Sequence, residues 1–267
     1  MRKILKFAGI LLSLYILFCL FITLNQQKLI FFPSKQIYAL PNYNNLQEIS
    51  IKTNDGLKLD GYYLENKSDI NILFFHGNGG NLTFNQAYIE LFNELGFNAL
   101  FFDYRGYGKS EGDIKKEDDL YIDADSAYNY LKQKGIKDEN MIFWGHSLGN
   151  ALSINLAQDK NLCGVIVESA FYSMDYMARL TYPYMPTNML LKYHFRNDEK
   201  IKNIKSPIIV IHSKNDEVIN YSNGTKLYNE ANNPKYFLQT ETSHNYGFPK
   251  NEELYKKTLK DYLRVGK

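Results

Sequence analysis

Hydrophobic positions along this chain of 267 residues follow three patterns, and each predicts a different kind of element. Residues 7–24 carry no charge and are apolar all round, which is typical of a helix that spans a membrane. From residue 47 onwards, short apolar runs alternate with amphipathic stretches. The runs, which predict buried strands, are residues 71–75, 99–102, 141–144, 164–167, 208–212 and 236–238. The amphipathic stretches, which predict helices, are residues 83–95, 120–134, 150–158, 222–231 and 252–263.

This alternation predicts an α/β fold. Residues 47–52 and 57–64 flank Asn54-Asp55-Gly56, a sequence that favours a β-hairpin. The strands that follow are nearly continuous in apolar residues, as expected for parallel strands buried on both faces. We therefore predict a mostly parallel central sheet flanked by helices, with its functional site at the carboxyl ends of the strands.

One segment interrupts the alternation. Residues 171–200 are rich in Met and Tyr, contain two prolines, and follow a predicted strand at its carboxyl end. An insertion of this kind predicts a short lid over a substrate pocket, with Tyr172, Met174 and Met177 as candidate substrate-binding residues. The alternative is an additional pair of packing helices without a substrate role.

The N-terminal apolar stretch predicts an uncleaved anchor. As a helix, its 18 residues would span about 27 Å, enough to cross a bilayer. Arg2, Lys3 and Lys6 precede it, whereas only Lys28 and Lys35 follow closely, so the positive-inside rule predicts a cytoplasmic N-terminus and an extracytoplasmic domain. A cleaved signal peptide is disfavoured because no small residues follow the apolar stretch. The predicted organisation is an anchor at 1–24, a linker at 25–46 and one domain at 47–267.

Composition and charge restrict the classes of molecule that the protein is expected to bind. The net charge of +2 is small and the basic residues are spread along the chain, which argues against nucleic-acid binding. The two cysteines predict neither a disulfide nor a metal site, and no cofactor is expected. Aromatic residues make up 15% of the chain, which fits either an apolar pocket or a ring-rich core.

The strongest chemical signal is Gly145-His146-Ser147-Leu148-Gly149, which lies between a predicted strand and a predicted helix. Two glycines beside Ser147 permit a turn too tight for a Cβ, and such a turn exposes the serine hydroxyl. The pattern predicts a nucleophile. A serine attacks a carbonyl only when a base removes its proton and a further group orients that base.

Chain order and position select the partners of Ser147. In this architecture the acid and then the histidine follow the serine, and of the three later histidines His244 lies in the loop after the last predicted strand. Asp216, four residues beyond a late strand, is the best-placed acid, while Glu217 and Glu168 remain alternatives. We predict that Asp216 accepts the Nδ1 proton of His244.

An oxyanion hole is the third requirement. Leu148 follows the nucleophile and supplies one backbone N–H. The glycine-rich loop at residues 75–81 supplies another, most simply through Asn78, because its glycines let the main chain approach a substrate. The loop lacks the lysine and the spacing of a phosphate-binding P-loop.

Together these motifs resemble the α/β-hydrolase superfamily. The resemblance rests on residues 75–81, 103–110 and 145–149 together with Asp216 and His244, in that order. The anchor followed by residues 29–33 resembles a membrane-tethered branch that includes depalmitoylases and lysophospholipid lipases. The resemblance implies hydrolysis of a carboxylic ester or thioester with an acyl or lipid-like group, through an acyl-enzyme. A serine peptidase of the same fold and a catalytically silent binding module are the alternatives.

Overall fold

The computed structural model describes residues 1–263. Its strands are β1 Phe32–Pro33, β2 Leu46–Lys52, β3 Lys58–Leu64, β4 Asn71–Phe75, β5 Gly79–Gly80, β6 Asn98–Phe102, β7 Met141–His146, β8 Gly164–Glu168, β9 Ile208–Ser213 and β10 Lys235–Thr240. Its α-helices are α1 Arg2–Ile30, α2 Gln86–Glu94, α3 Glu117–Gln133, α4 Gly149–Ala157, α5 Met174–Thr181, α6 Thr187–Leu190, α7 Asn197–Lys200, α8 Ser222–Glu230, α9 Gly247–Lys250 and α10 Glu252–Tyr262. Short 3₁₀ helices cover Leu82–Phe84, Asp138–Asn140 and Ile201–Asn203.

Within the described residues, eight strands form the main sheet in the order β10-β9-β8-β7-β4-β6-β3-β2. Strand β3 pairs antiparallel with both β2 and β6, and the other neighbours in the sheet run parallel. The predicted hairpin and the predicted mostly parallel sheet are both confirmed. Strands β1 and β5 form a separate parallel pair, in which Phe32 lies opposite Gly79.

The strands are buried on both faces because helices cover each side of the sheet. In β4, Leu73 and Phe75 join the core with α3, α4 and α8, whereas Ile72 and Phe74 join the core with α2 and α10. Successive side chains of a strand point to opposite faces of the sheet, and here both faces are apolar. The parallel strands are therefore continuous apolar runs in the sequence.

Several elements differ in length from the pattern-based prediction, most usefully at the carboxyl ends of strands. Strands β7, β8 and β9 continue through His146, Glu168 and Ser213, which are polar residues that an apolar-run criterion leaves out. The predicted helix over 83–95 is divided into a 3₁₀ turn and α2. Asn81 caps the start of the 3₁₀ turn, because its side chain accepts a hydrogen bond from the Thr83 N–H at 2.9 Å.

The N-terminal helix is longer than the predicted anchor. Helix α1 continues to Ile30, so its last turns lie in the stretch predicted as a linker. It is the helix among residues 1–263 that is long and apolar enough to cross a membrane, with a mean hydropathy of 2.5 over its most apolar window. At the rise of an α-helix its 29 residues extend over about 44 Å. These properties suit a membrane anchor and a signal sequence alike.

The segment predicted as a lid contains three short helices. Helices α5, α6 and α7 lie within residues 171–200, between β8 and β9. Ser173 begins α5 by accepting a hydrogen bond from the Tyr176 N–H at 3.1 Å, and prolines flank the turn before α6. The segment therefore lies on the side of the sheet where the parallel strands end.

Candidate active site

Ser147 lies at the turn between β7 and α4 with a φ angle of 51°, in the left-handed region that non-glycine residues rarely adopt. The flanking glycines are required by space. A Cβ on Gly145 would lie 2.5 Å from Ser153 Oγ, and a Cβ on Gly149 would lie 2.0 Å from the carbonyl oxygen of Phe75. The chain can make this turn because the residues two positions before and two positions after Ser147 lack a side chain.

Hydrogen bonds to the next strand hold the turn. The Ser147 N–H donates to the carbonyl oxygen of Glu168 at 3.0 Å. The buried Asn150 side chain donates to that same carbonyl at 2.7 Å and to the Ser147 carbonyl at 3.0 Å. The strained backbone of Ser147 is therefore fixed by contacts from β8 and from the first turn of α4.

The loop after β10 brings His244 to the serine. His244 Nε2 lies 3.0 Å from Ser147 Oγ, although 97 residues separate them in the chain. On the other side of the ring, His244 Nδ1 lies 2.8 Å from Asp216 Oδ2. The structure thus joins the three predicted residues in one hydrogen-bonded chain, with the histidine between the hydroxyl and the carboxylate.

The second oxygen of Asp216 is held by the backbone. Its Oδ1 accepts hydrogen bonds from the N–H groups of Val218, at 2.9 Å, and Ile219, at 2.7 Å. Burial acts to raise the pKa of Asp216, but its hydrogen bond and electrostatic interaction with His244 and the two N–H groups outweigh burial and lower the pKa. The carboxyl is accordingly ionised at neutral pH.

Two further histidines lie beside these three hydrogen-bonded residues but are not part of the series. His146 Nε2 lies 3.4 Å from the carbonyl oxygen of His244, and burial together with nearby His244 lowers the pKa of His146 to about 3. His212 donates from Nε2 to the carbonyl oxygen of Ile219 at 2.9 Å, and burial lowers its pKa as well. Both rings are neutral, so they support the loops around His244 without adding charge.

The alternative acids have other partners. Glu168 accepts hydrogen bonds from Trp144 Nε1 and from the Tyr255 hydroxyl, both at 2.8 Å, and burial raises its pKa. Glu217 accepts a hydrogen bond from the backbone N–H of His244 at 3.0 Å, which positions the loop and not the imidazole. Of the three acids considered, Asp216 is the one whose carboxylate meets His244 Nδ1.

The two predicted oxyanion donors lie beside the serine. The main chain of Leu148 and that of Asn78 donate no hydrogen bond among residues 1–263, so both N–H groups are available to a ligand. A Cβ placed on Gly77 would lie 3.5 Å from the Cβ of Ser147, which brings the Gly77–Asn78 peptide over the turn. The glycine-rich loop is therefore close enough to Ser147 to share a bound carbonyl oxygen.

Asn78 also fixes the position of its own loop. Its side chain donates to the carbonyl oxygen of Ile30, and its Oδ1 accepts from the Tyr107 hydroxyl at 2.9 Å and from the Phe32 N–H at 3.2 Å. Sequence reasoning assigned Asn78 only a backbone role. The presence of a polar side chain in an otherwise glycine-rich loop is the feature of the sequence that indicates these side-chain hydrogen bonds.

Access to the serine is narrow. Ser147 is 9% exposed and His244 is 5% exposed. A cavity of about 220 Å³ lies between the lid segment and the end of α1, and Met174 and Met177 contribute to its lining. Tyr172 does not line this cavity, because its hydroxyl turns towards α8 and donates to Glu230 at 3.1 Å. The ring of Tyr176 packs edge-to-face against the ring of Tyr172.

Solved structures with the same architecture identify the fold. An esterase of Pyrococcus furiosus superposes with a TM-score of 0.73 over 88% of this chain and 98% of its own, at 19% identity. An α/β hydrolase of Vibrio vulnificus superposes with a TM-score of 0.67 over 81% of each chain, at 22% identity. The strand order, with one antiparallel strand near one edge and a serine turn after β7, is the α/β-hydrolase fold.

Sequence comparisons agree with the fold. A model of the family described as Serine aminopeptidase, S33, matches residues 66–194. An uncharacterized protein of Acanthamoeba polyphaga mimivirus is 30% identical over 80% of this chain and 81% of its own length. Alpha/beta hydrolase domain-containing protein 17B of Xenopus laevis is 34% identical over 61% of this chain and 56% of its own. The chain therefore has the α/β-hydrolase fold, and residues 66–194 are similar in sequence to a family of serine hydrolases.

Proposed function

We propose that this protein is a serine hydrolase that cleaves carboxylic esters or thioesters through an acyl-enzyme. The observation that carries the proposal is the continuous contact from Asp216 through His244 to Ser147, with distances of 2.8 Å and 3.0 Å. Ser147 is the nucleophile, His244 the base and then the acid, and Asp216 the group that orients the imidazole.

The reaction takes two stages. The oxygen of Ser147 attacks the acyl carbon while its proton moves to His244 Nε2, and the departing alcohol or thiol then takes that proton. A water molecule next gives a proton to His244 Nε2 while its oxygen attacks the acyl carbon. The bond from that carbon to the Ser147 oxygen then breaks, and the serine oxygen takes the proton back from His244, which frees the acid product and restores the enzyme. The lowered pKa of Asp216 keeps the carboxylate charged beside the imidazolium that forms in both stages.

The negative oxygen of each tetrahedral intermediate requires donors that are already in place. The backbone N–H groups of Leu148 and Asn78 fit this role because they lie on the two segments that meet at Ser147. Removing one such donor from a hydrolase commonly costs about 10² to 10³ in kcat. The side-chain hydrogen bonds of Asn78 hold its peptide in a fixed orientation before the substrate arrives.

An acyl substrate suits the surroundings of the site. The cavity at the lid presents mainly apolar side chains, and Met174 and Met177 are flexible enough to adapt to an alkyl chain. The similar protein of Pyrococcus furiosus is described as an esterase. We assign residues 171–200 the role of a lid that shapes this acyl site.

A fluorophosphonate probe tests the proposal, because it reacts with an activated serine. We expect the full-length protein to be labelled, the Ser147→Ala variant to be unlabelled, and ester hydrolysis by that variant to fall by a factor on the order of 10⁶ in kcat. Ser243→Ala, beside His244, is the control and should label normally. Absence of labelling in the unaltered protein would favour a silent binding module.

A serine peptidase is the second candidate, because the matched family is described as a serine aminopeptidase. An aminopeptidase must hold the ammonium group of its substrate, usually with a carboxylate. Among the described residues, the lining of the lid cavity includes no Asp or Glu. We therefore expect p-nitrophenyl esters to be cleaved at least about 10² faster than aminoacyl p-nitroanilides, whereas the opposite ranking would establish the peptidase.

We further propose that α1 is a single-pass anchor over residues 1–24, with a cytoplasmic N-terminus and an extracytoplasmic domain. The two native cysteines are buried, so they give little background to a thiol reagent. Glu253, whose side chain is 89% exposed, is a suitable position for a new cysteine. In intact cells, a membrane-impermeant maleimide should label Glu253→Cys. Protection until the cells are lysed would place the domain in the cytoplasm.

A further inference from the structure

The N-terminal helix is hydrogen-bonded to the lid at two positions, one near its middle and one near its end. The buried Gln26 side chain donates to the Leu190 carbonyl oxygen at 2.5 Å and accepts from the Lys192 N–H at 2.8 Å. Eleven residues earlier, the Tyr15 hydroxyl donates to the Tyr184 carbonyl oxygen at 2.7 Å. At about 1.5 Å per residue, the lid follows α1 for about 16 Å.

The space between these two elements is the apolar cavity of about 220 Å³. Helix α1 contributes Ile22, Leu29 and Ile30, which lie with Gln26 on one face at spacings of three, four and seven or eight residues. The lid contributes Met174 and Met177 from the facing side. The cavity is therefore a mainly apolar slot, and α1 makes one of its walls.

One wall of the slot is hydrogen-bonded to the glycine-rich loop beside the serine. The carbonyl oxygen of Ile30 accepts a hydrogen bond from the Asn78 side chain. Asn78 follows Gly77, and a Cβ on Gly77 would lie 3.5 Å from that of Ser147. The end of the slot at Ile30 is therefore next to the loop that passes over Ser147.

The tip of the lid carries exposed apolar side chains. Tyr184 and Met189, at the tip of the lid, are 91% and 80% exposed, and Leu180 is 55% exposed. Tyr184 contacts Tyr15, which lies in the middle of the apolar stretch at residues 7–24. With α1 in a membrane, the lid tip enters the same leaflet, where its exposed apolar side chains are stable.

We propose that the slot between α1 and the lid binds the alkyl chain of a long-chain ester or thioester that is itself held in the membrane. The anchor helix is then part of the substrate site and not only a tether. A flexible methionine-lined slot fits an unbranched alkyl chain better than a sugar or a peptide, which would leave polar groups without partners. This inference rests on the proposed serine hydrolase function.

Filling the slot from the α1 wall tests the inference. In the full chain reconstituted in lipid nanodiscs, Ile22→Trp should lower kcat/KM for p-nitrophenyl palmitate by roughly tenfold or more, because the bulky ring displaces the alkyl chain. It should leave p-nitrophenyl butyrate within about threefold of the original value. Leu24→Trp is the matched control, because Leu24 is 66% exposed on the same helix, and it should change neither ester.

A second pair of variants changes residues on the lid side of the slot, and it tests the inference if Ile22→Trp does not fold. Ala178→Phe points into the slot and should repeat the loss with palmitate, while Leu180→Phe, on the exposed side of α5, should not. Equal changes with both esters, or no change in either filled variant, would overturn the inference. Failure of the parent function gives a different result, because the unaltered protein would then neither hydrolyse butyrate nor react with the fluorophosphonate.

Discussion

Replacing Asp216 by asparagine isolates the orienting role of this residue. Oδ1 is committed to two backbone donors, the N–H groups of Val218 and Ile219, at 2.9 Å and 2.7 Å. An asparagine keeps those bonds only by placing its carbonyl oxygen at that position. Its NH₂ group must then face His244 Nδ1, where the carboxylate oxygen Oδ2 lies at 2.8 Å in the unaltered protein.

The consequence is a change of tautomer. A donor facing Nδ1 requires that nitrogen to accept, so the proton of the neutral imidazole moves to Nε2, which faces Ser147 Oγ at 3.0 Å. A protonated Nε2 is unable to remove the serine proton. The same change in Ser-His-Asp enzymes lowers kcat about 10⁴-fold, which corresponds to about 5 kcal/mol of transition-state stabilisation.

The assay is hydrolysis of p-nitrophenyl butyrate by purified full-length protein, with the active sites titrated by a fluorophosphonate. Glu217→Gln is the matched control, because a glutamine oxygen still accepts from the His244 N–H, and its kcat should stay within about threefold. Retention of activity within tenfold in Asp216→Asn would refute the assignment of the acid. A large loss in Glu217→Gln instead would transfer the role to the neighbouring carboxylate.

Three further predictions concern the support of the site. Asn78→Ala should lower kcat roughly tenfold with little change in KM, less than the loss of a donor, because the N–H remains but its side-chain hydrogen bonds do not; steady-state kinetics measure this. Gly149→Ala should lower the free energy of unfolding by about 3 kcal/mol, since its Cβ would meet the Phe75 oxygen, whereas Gly79→Ala, with nothing within 4 Å, should leave the melting temperature nearly unchanged. Between pH about 6.5 and about 3, His146 takes up a proton when unfolded but not when folded, so the free energy of unfolding decreases as the pH is lowered. His146→Gln should make that decrease shallower by up to about 1.4 kcal/mol per pH unit, as measured by thermal melts at a series of pH values.

The chemistry could be predicted from sequence further than the packing could. Ser147 was identifiable because a tight turn demands glycines at fixed positions, and those positions are explained by the contacts that a Cβ on Gly145 or Gly149 would make. Chain order then selected Asp216 and His244, and the structure brings all three together. Their catalytic roles remain proposals that the variants above test.

Strand ends were predicted less well, for a reason that concerns function. The apolar runs end where the core ends, but β7 and β8 continue through His146 and Glu168. These buried polar residues are tolerated because each has a partner: His146 the carbonyl oxygen of His244, and Glu168 the donors Trp144 and Tyr255. Hydrophobicity alone cannot locate such residues, since their partners come from distant loops.

The boundary between anchor and domain was the least predictable part of the chain. Composition places a boundary after Leu24, where apolar residues give way to Asn25 and Gln26. In the structure the helix continues, and Gln26 is buried because its amide satisfies the backbone of the lid 164 and 166 residues further along the chain. A glutamine after an apolar helix normally indicates a return to water. Here it marks an interface with the lid, so Gln26→Ala should speed hydrogen exchange at the Lys192 N–H while fluorophosphonate labelling of Ser147 stays unchanged.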